Sequence, residues 1–113
     1  MDINLNGKWK NQYNSEMDLE IVNNQVKGIF QTAIGQPSFD EKFPISGKIN
    51  NNVIAFMVNF GKYGSIACWT GRFEKDEIGP VIHTMWHLSQ SEGGEEEQLA
   101  KAILTGVGTF RKV

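Results

Sequence analysis

Two segments that combine tryptophan with hydroxyl side chains carry the residues best suited to hold a ligand. In the first segment Ser65 and Trp69 are separated by an even number of positions, and they are said to share one parity. In the second segment Thr84, Trp86 and Leu88 share one parity in the same way. Side chains two residues apart along a β-strand lie on one face of the sheet. Aromatic walls with a few hydrogen-bonding groups are typical of a cavity for a small organic molecule. A purely structural role stays open, because tryptophans also fill barrels by packing alone.

The residue types that usually carry catalysis or bind metals form no recognisable motif. His83 and His87 are the only histidines; along one strand they would lie roughly 13 Å apart, too far to share a metal ion. Their parity is opposite to that of Trp86, which predicts that they face outward. Cys68 is the only cysteine, so an intrachain disulfide cannot form. With no HExxH, GxSxG or phosphate-binding loop, the sequence predicts neither an enzyme nor a metal or cofactor.

The composition is typical of one globular domain spanning residues 1–113. Hydrophobic residues make up 40% of the chain and charged residues 21%, which argues against disorder. The net charge of -2 is too close to neutral to favour nucleic acid or an anionic membrane as a partner. No apolar run approaches the roughly 20 residues that a membrane-spanning helix needs. The first residues, MDINLNGKW, lack the basic and apolar regions of a signal peptide.

The spacing of turn residues predicts an all-β fold. Glycine and asparagine recur roughly every 8–12 residues, as in a β-sandwich or β-barrel. Residues 17–21 alternate between apolar and acidic side chains, and residues 53–60 place an unbroken apolar series on one face. The predicted strands are residues 7–13, 17–21, 26–34, 43–49 and 53–60, the two tryptophan segments on either side of the turn 75–80, and residues 104–112. Loops are predicted at 35–42 and 91–98, with a short helical turn at 99–103. Together these elements predict an eight-stranded antiparallel up-and-down barrel, whose interior holds side chains or one small ligand.

The inward-facing residues resemble those of the avidin and streptavidin family of biotin-binding barrels. The resemblance runs nearly end to end and is most specific at G-x-W-x-N-x-x-x-S in residues 7–15 and T-x-W-x-L in residues 84–88. Residues 28–35, 65–71 and 106–113 also match. The resemblance implies a non-catalytic protein that binds biotin or a biotin-like molecule in the barrel mouth. It also implies a secreted or periplasmic protein that assembles with itself as a dimer or a tetramer.

The resemblance implies a particular set of ligand-binding residues. Asn11 and Ser15 would donate to the ureido oxygen, and Thr32 would accept one ureido N–H. Ser65 and the loop around Gln36 would hold the valerate carboxylate. The aromatic box of the family falls at Phe56, Trp69 and Trp86, with Leu88 behind it.

Departures from the family pattern all predict weaker binding. Phe30 stands where the family has a tyrosine that grips the ureido oxygen, and Ala67 stands where it has a threonine. Gly108 occupies the position of a carboxylate or amide, and Ala100 falls at about the position of a tryptophan supplied by a neighbouring subunit. A lost hydrogen bond to a buried ligand group costs on the order of 1–3 kcal/mol. Three such losses predict an affinity lower by roughly 10²–10⁵-fold.

Two other functions stay open from the residues alone. The barrel could bind another small cyclic or amphipathic ligand, or it could serve as an interaction module without a small ligand. Asn11, Ser15 and Thr32 favour a polar heterocycle, since buried amides and hydroxyls need hydrogen-bond partners. A lipid carrier would have a wider apolar interior, often with a basic residue for a carboxylate, and the inward set lacks one.

The outward faces of the fifth to eighth strands predict homo-oligomerisation. They carry an unusually apolar set for a solitary barrel: Ala55, Met57, Ile66, Cys68, Met85 and Val107. We expect light scattering at micromolar protein concentration to give the mass of a dimer or a tetramer. The mass of a monomer would contradict this prediction.

Overall fold

Eight antiparallel strands form a closed barrel in the computed structural model, which describes residues 3–91 and 103–113. The strands are β1 (Gly7–Lys10), β2 (Glu16–Val22), β3 (Gln25–Gln31), β4 (Phe43–Asn50), β5 (Val53–Asn59), β6 (Ser65–Lys75), β7 (Pro80–Gln90) and β8 (Ile103–Lys112). A short 3-10 helix, η1 (Gly61–Tyr63), connects β5 to β6. Each strand pairs with its neighbours in sequence, and β8 pairs with β1. The predicted up-and-down barrel is therefore confirmed.

Two strands, β1 and β3, end three residues earlier than the sequence predicts, because side chains near the cavity fold the chain into turns. β1 ends at Lys10, after which Asn11 Oδ1 accepts hydrogen bonds from the backbone N–H groups of Tyr13 and Ser15, each at 3.0 Å. β3 ends at Gln31, short of the predicted residue 34. There the backbone N–H and C=O of residue 34 both contact the hydroxyl of residue 32. These turns leave polar side chains at the end of the barrel.

Part of the chain before β8 lies outside the described residues. Most of the loop predicted at 91–98 and of the helical turn predicted at 99–103 falls there, as does Ala100; Ser91 is described, and Ile103 begins β8. Within the described residues, no helix has the length and hydropathy needed to cross a membrane.

Alternate residues along the strands point into the barrel, as the β-strand repeat of two requires. β5 alternates exposed and buried positions without interruption. The predicted inward direction of the tryptophans is confirmed: Trp9 is 0% exposed and Trp69 is 6% exposed, while Trp86 is partly buried. The indole Nε1 of Trp9 donates to the backbone carbonyl of Leu5 at 2.9 Å, so its one polar atom is satisfied in the core.

The seam between β1 and β8 is short and is extended by a side chain. The backbone ladder joins two residues of β1 to two residues of β8. Beyond the ladder, Gln12 Nε2 donates to the backbone carbonyl of Val107 at 2.6 Å, and Gln12 Oε1 accepts from the N–H of Thr109 at 2.9 Å. The Gln12 amide therefore pairs with backbone groups of β8 much as another strand residue would.

We expect Gln12→Ala to lower the free energy of unfolding by about 1–2 kcal/mol, since it removes both hydrogen bonds of the seam. Urea unfolding followed by tryptophan fluorescence would measure the change. Gln25→Ala is the matched control, because Gln25 is an exposed glutamine at the start of β3, and its effect should stay within about 0.5 kcal/mol. Equal effects for the two variants would show that the Gln12 bridge does not stabilise the barrel.

Candidate ligand-binding site

A cavity of about 400 Å³ opens where the β3–β4 loop (residues 32–42), η1 and the end of β7 meet. Its volume lies in the range of small-molecule sites. The predicted ligand-binding residues that line it are Asn11, Ser15, Phe30, Thr32, Gln36, Ser65, Trp69, Trp86 and Leu88. The strand parity and the turns after β1 and β3 thus bring this set together at one end of the barrel.

Phe56 is the predicted ligand-binding residue that does not line the cavity. Its side chain is 3% exposed, and its ring stacks on Trp69 with centroids 5.0 Å apart and planes 13° apart. Phe56 therefore supports the Trp69 ring from the core side, and its part in the ligand's aromatic box stays a prediction. Parity placed Phe56 on the inward face but did not specify how deep it lies.

The polar end of the cavity presents two hydrogen-bond donors. Asn11 Oδ1 is occupied by the two backbone N–H groups of the turn after β1, which leaves its Nδ2 amide group for other partners. Ser15 is 2% exposed, and its Oγ accepts from the N–H of Ala33 at 2.9 Å. Since the acceptor side of Ser15 Oγ is engaged, its hydroxyl proton can point toward the cavity. This pair suits a ligand that carries a carbonyl-type oxygen.

Two inward threonines differ in whether their hydroxyls reach the cavity. Thr32 lines it, and its Oγ1 donates to the carbonyl of Ile34 at 2.8 Å while keeping acceptor capacity for a ligand N–H. Thr84 does not line the cavity; it is 4% exposed and donates to the carbonyl of Gly108 at 2.7 Å. A Cβ added at Gly108 would lie 2.9 Å from Thr84 Oγ1. A side chain at position 108 would therefore require Thr84 to move.

Small residues make room for the aromatic walls. The ring of Trp86 lies across Gly106, where an added Cβ would approach the ring to 2.4 Å. Glycine at position 106 therefore allows the indole to lie flat against β8. Phe30 is 3% exposed, and its ring centroid is 5.0 Å from that of Trp69. Phe30 thus gives the cavity an apolar wall beside Trp69.

Glu41 fastens the β3–β4 loop to η1. Its Oε2 accepts from the Tyr63 hydroxyl at 2.5 Å and from the Ser38 N–H at 2.9 Å, and its Oε1 lies 3.1 Å from Lys62 Nζ. The Tyr63 hydrogen bond is the main cause that lowers the pKa of Glu41 below its usual 4.5, and it raises the pKa of Tyr63 above its usual 10.0. No sequence pattern indicates this contact, because neither residue belongs to a strand with a readable period.

The lining carries no charged side chain within the described residues, so the cavity is electrically neutral. In the same part of the chain, no three histidine, cysteine or acidic side chains lie close enough to hold a metal ion. His83, His87 and Cys68 are exposed on the outside of the barrel, as predicted. The described lining therefore offers neutral hydrogen-bonding groups and aromatic rings.

Comparisons with known proteins agree with the fold. A family model described as the avidin family matches residues 1–113. The crystal structure of xenavidin has a TM-score of 0.85 and 25% identity, and the match covers 100% of both chains. The crystal structure of a rhizavidin–biotin complex has a TM-score of 0.80 and 28% identity over 97% of this chain and 92% of that chain. A crystal structure of rhizavidin has a TM-score of 0.81 and 30% identity over 95% of this chain and 81% of that chain. None of the curated protein sequences compared with the chain matches it.

Proposed function

The chain belongs to the avidin family, and on that premise we propose that it binds biotin without catalysis, in the cavity at the end of its barrel. One observation carries the proposal: the Asn11 amide and the Ser15 hydroxyl meet at the polar end of a cavity walled by Trp69 and Trp86. A cyclic urea combines a carbonyl-type acceptor with a flat ring, so it matches both features. One of the similar proteins, rhizavidin, has been crystallised with biotin.

The proposed complex assigns one role to each part of the cavity. The ureido oxygen accepts from Asn11 Nδ2 and from the Ser15 hydroxyl, and Thr32 Oγ1 accepts one ureido N–H. The ring system lies against Trp69 and Trp86, where aromatic contact supplies most of the buried area. The valerate carboxylate lies at the mouth near Ser65 and Gln36, both of which line the cavity.

The affinity of the proposed complex is lower than it would be with all the hydrogen-bonding side chains of the family pattern. Phe30 offers no hydroxyl to the ureido oxygen, and Ala67 offers none near the thioether. The second ureido N–H has no acceptor at Gly108, where Thr84 already occupies the space that a side chain would enter. Each missing hydrogen bond weakens binding by on the order of 1–3 kcal/mol, less where water replaces it.

The number of acceptors favours a second candidate ligand. Thr32 Oγ1 is one acceptor for a ligand N–H, and Gly108 supplies no second one from its side chain. A cyclic amide with a single N–H would leave no ligand donor unpaired, and an unpaired buried donor is costly. Calorimetry with biotin and with an analogue in which one ureido N–H is replaced by CH₂ would distinguish the two ligands.

Self-association of the chain is also proposed, through the outer face of β5 to β8. The predicted apolar set on this face is exposed in the described chain: Met57 is 39%, Ile66 40%, Met85 54% and Val107 56% exposed. Exposed apolar side chains on adjacent strands mark an interaction surface more often than a solvated one. Burial of this face against a second copy would remove that area from water.

Phe30→Tyr should strengthen biotin binding by about tenfold, because it supplies a third donor for the ureido oxygen, worth about 1.4 kcal/mol. Isothermal titration calorimetry would measure the dissociation constant. Phe43→Tyr is the matched control: Phe43 packs edge-on against Phe60 at 4.9 Å between centroids and does not line the cavity. Equal or weaker binding by a folded Phe30→Tyr variant would mean that the ureido oxygen does not lie near position 30.

Trp86→Ala should weaken biotin binding by on the order of 100-fold or more while the barrel still folds. The indole supplies a large aromatic contact area to the ligand. Because Trp86 is only partly buried, its removal leaves no enclosed void in the core. Near-ultraviolet circular dichroism would confirm folding, and calorimetry would measure binding. His83→Ala, an exposed position on the same strand, should leave binding unchanged. Identical titration curves for Trp86→Ala and the parent would place the ligand elsewhere.

A further inference from the structure

We propose that Glu41 and Tyr63 form a latch that holds the β3–β4 loop over the cavity and slows the escape of bound ligand. The inference rests on the proposed function, since it concerns retention of a ligand in that cavity. Residues 34–37 of the loop line the cavity, and Tyr63 lines it from η1. The Glu41–Tyr63 contact therefore joins two parts of the chain that both border the ligand.

The Glu41 carboxylate links the loop to itself and to η1 at once. Within the loop, its Oε2 accepts from the Ser38 N–H at 2.9 Å, and the backbone N–H of Glu41 donates to the Ser38 carbonyl at 3.1 Å. From η1, the Tyr63 hydroxyl donates to the same Oε2 at 2.5 Å, and Lys62 Nζ approaches Oε1 to 3.1 Å. Both carboxylate oxygens are engaged, so the turn at 38–41 and η1 are held as one unit.

The position of the loop depends on polar ties more than on buried apolar area. Ile34 is 52% exposed and Phe39 is 38% exposed, so the large apolar side chains of the loop contribute little burial. Near the start of the loop, the Ala33 N–H donates to the Ser15 hydroxyl oxygen. Farther along, the Phe39 carbonyl accepts from Gln31 Nε2 at 3.0 Å. Glu41 supplies the tie at its end. A loop with few buried contacts opens at low free-energy cost unless such ties hold it.

Opening of a loop that covers a ligand commonly sets the rate of ligand release. A ligand in this cavity leaves past residues 34–37 and Tyr63, because these residues border its mouth. Breaking the Tyr63–Glu41 hydrogen bond frees the end of the loop from η1. Glu41 does not line the cavity, so it acts on the ligand by positioning Tyr63 and the loop.

Near neutral pH the Glu41 carboxylate is ionised and the Tyr63 hydroxyl is protonated, so the hydrogen bond between them is kept. Glu41 is faced by Tyr63 and Lys62, and the Tyr63 hydrogen bond is the first cause of its lowered pKa. A lowered pKa in the folded protein means that this stabilisation is present above pH 4.5 and is lost as the pH falls through the folded-state pKa. The raised pKa of Tyr63 means that its contribution is present below pH 10.0 and is lost as the pH rises through that raised value.

Biotin dissociation from the full-length protein tests the latch. Radiolabelled biotin is loaded onto the parent and onto the Tyr63→Phe, Glu41→Ala and double variants, and its release is followed after a chase with excess unlabelled biotin. Tyr63→Phe should release biotin about tenfold faster, as expected for loss of one charge-assisted hydrogen bond, and Glu41→Ala, which also removes the contacts to Ser38 and Lys62, should release it at least as fast. The double variant should match Glu41→Ala, since Glu41→Ala already removes the contact that Tyr63→Phe removes. Asp40→Ala, which removes the exposed neighbouring carboxylate, should release biotin at the parent rate.

A readout without ligand separates failure of the latch from failure of the proposed function. Hydrogen exchange of the amides in residues 33–42 should be faster in Tyr63→Phe and Glu41→Ala than in the parent and in Asp40→Ala. If the parent binds no biotin but loop exchange rises in these variants, the latch stands and the proposed ligand is wrong. If the parent binds biotin, and release and exchange are unchanged in both variants, the latch is wrong. Additive effects in the double variant would also overturn it.

Discussion

Pairing of β1 with β8 closes the sheet and thereby determines which residues face the interior. A closed eight-stranded sheet has no free edge and forces every second residue into an interior just wide enough for side chains or one small ligand. The backbone ladder between β1 and β8 is short. The Gln12 side chain extends it by hydrogen bonds to the backbone of β8, and the Val113 N–H donates to the Lys8 carbonyl at 2.9 Å. Trp9 and Phe110 are fully buried and do not line the cavity. The cavity that the predicted ligand-binding residues line therefore does not reach these two core residues.

The same strands carry residues that pack the barrel core and other residues that line the cavity. On β7, Thr84 bonds to the backbone of β8, while Trp86, two residues later, lies in the cavity wall against Gly106. On β6, Trp69 faces the cavity and is stacked from behind by Phe56. On β8, Gly106 leaves room for the Trp86 ring, and in the proposed complex Gly108 offers the ligand no side-chain acceptor. The proposed complex thus combines the fold and cavity of the family with a lower affinity for biotin.

The fold and the inward faces of the strands could be predicted because the period of a β-strand is a local property of the sequence. The set of ligand-binding residues, by contrast, was implied by the resemblance to the avidin and streptavidin family. Depth along the barrel is not local, and parity alone did not place Phe56 behind Trp69. The partner of a buried hydroxyl depends on strand register, which pairs Thr84 with Gly108. The Glu41–Tyr63 contact joins a loop to a 3-10 helix across 22 residues. No sequence period describes either segment, so this contact required the structure.

A crystal structure of the protein grown with biotin would show whether the ligand occupies the cavity. The proposed function predicts biotin inside the cavity, with its ureido oxygen within hydrogen-bond distance of Asn11 Nδ2 and Ser15 Oγ and its rings against Trp69 and Trp86. Biotin bound outside the cavity, or bound with its ureido group at the mouth beside Gln36, would contradict it.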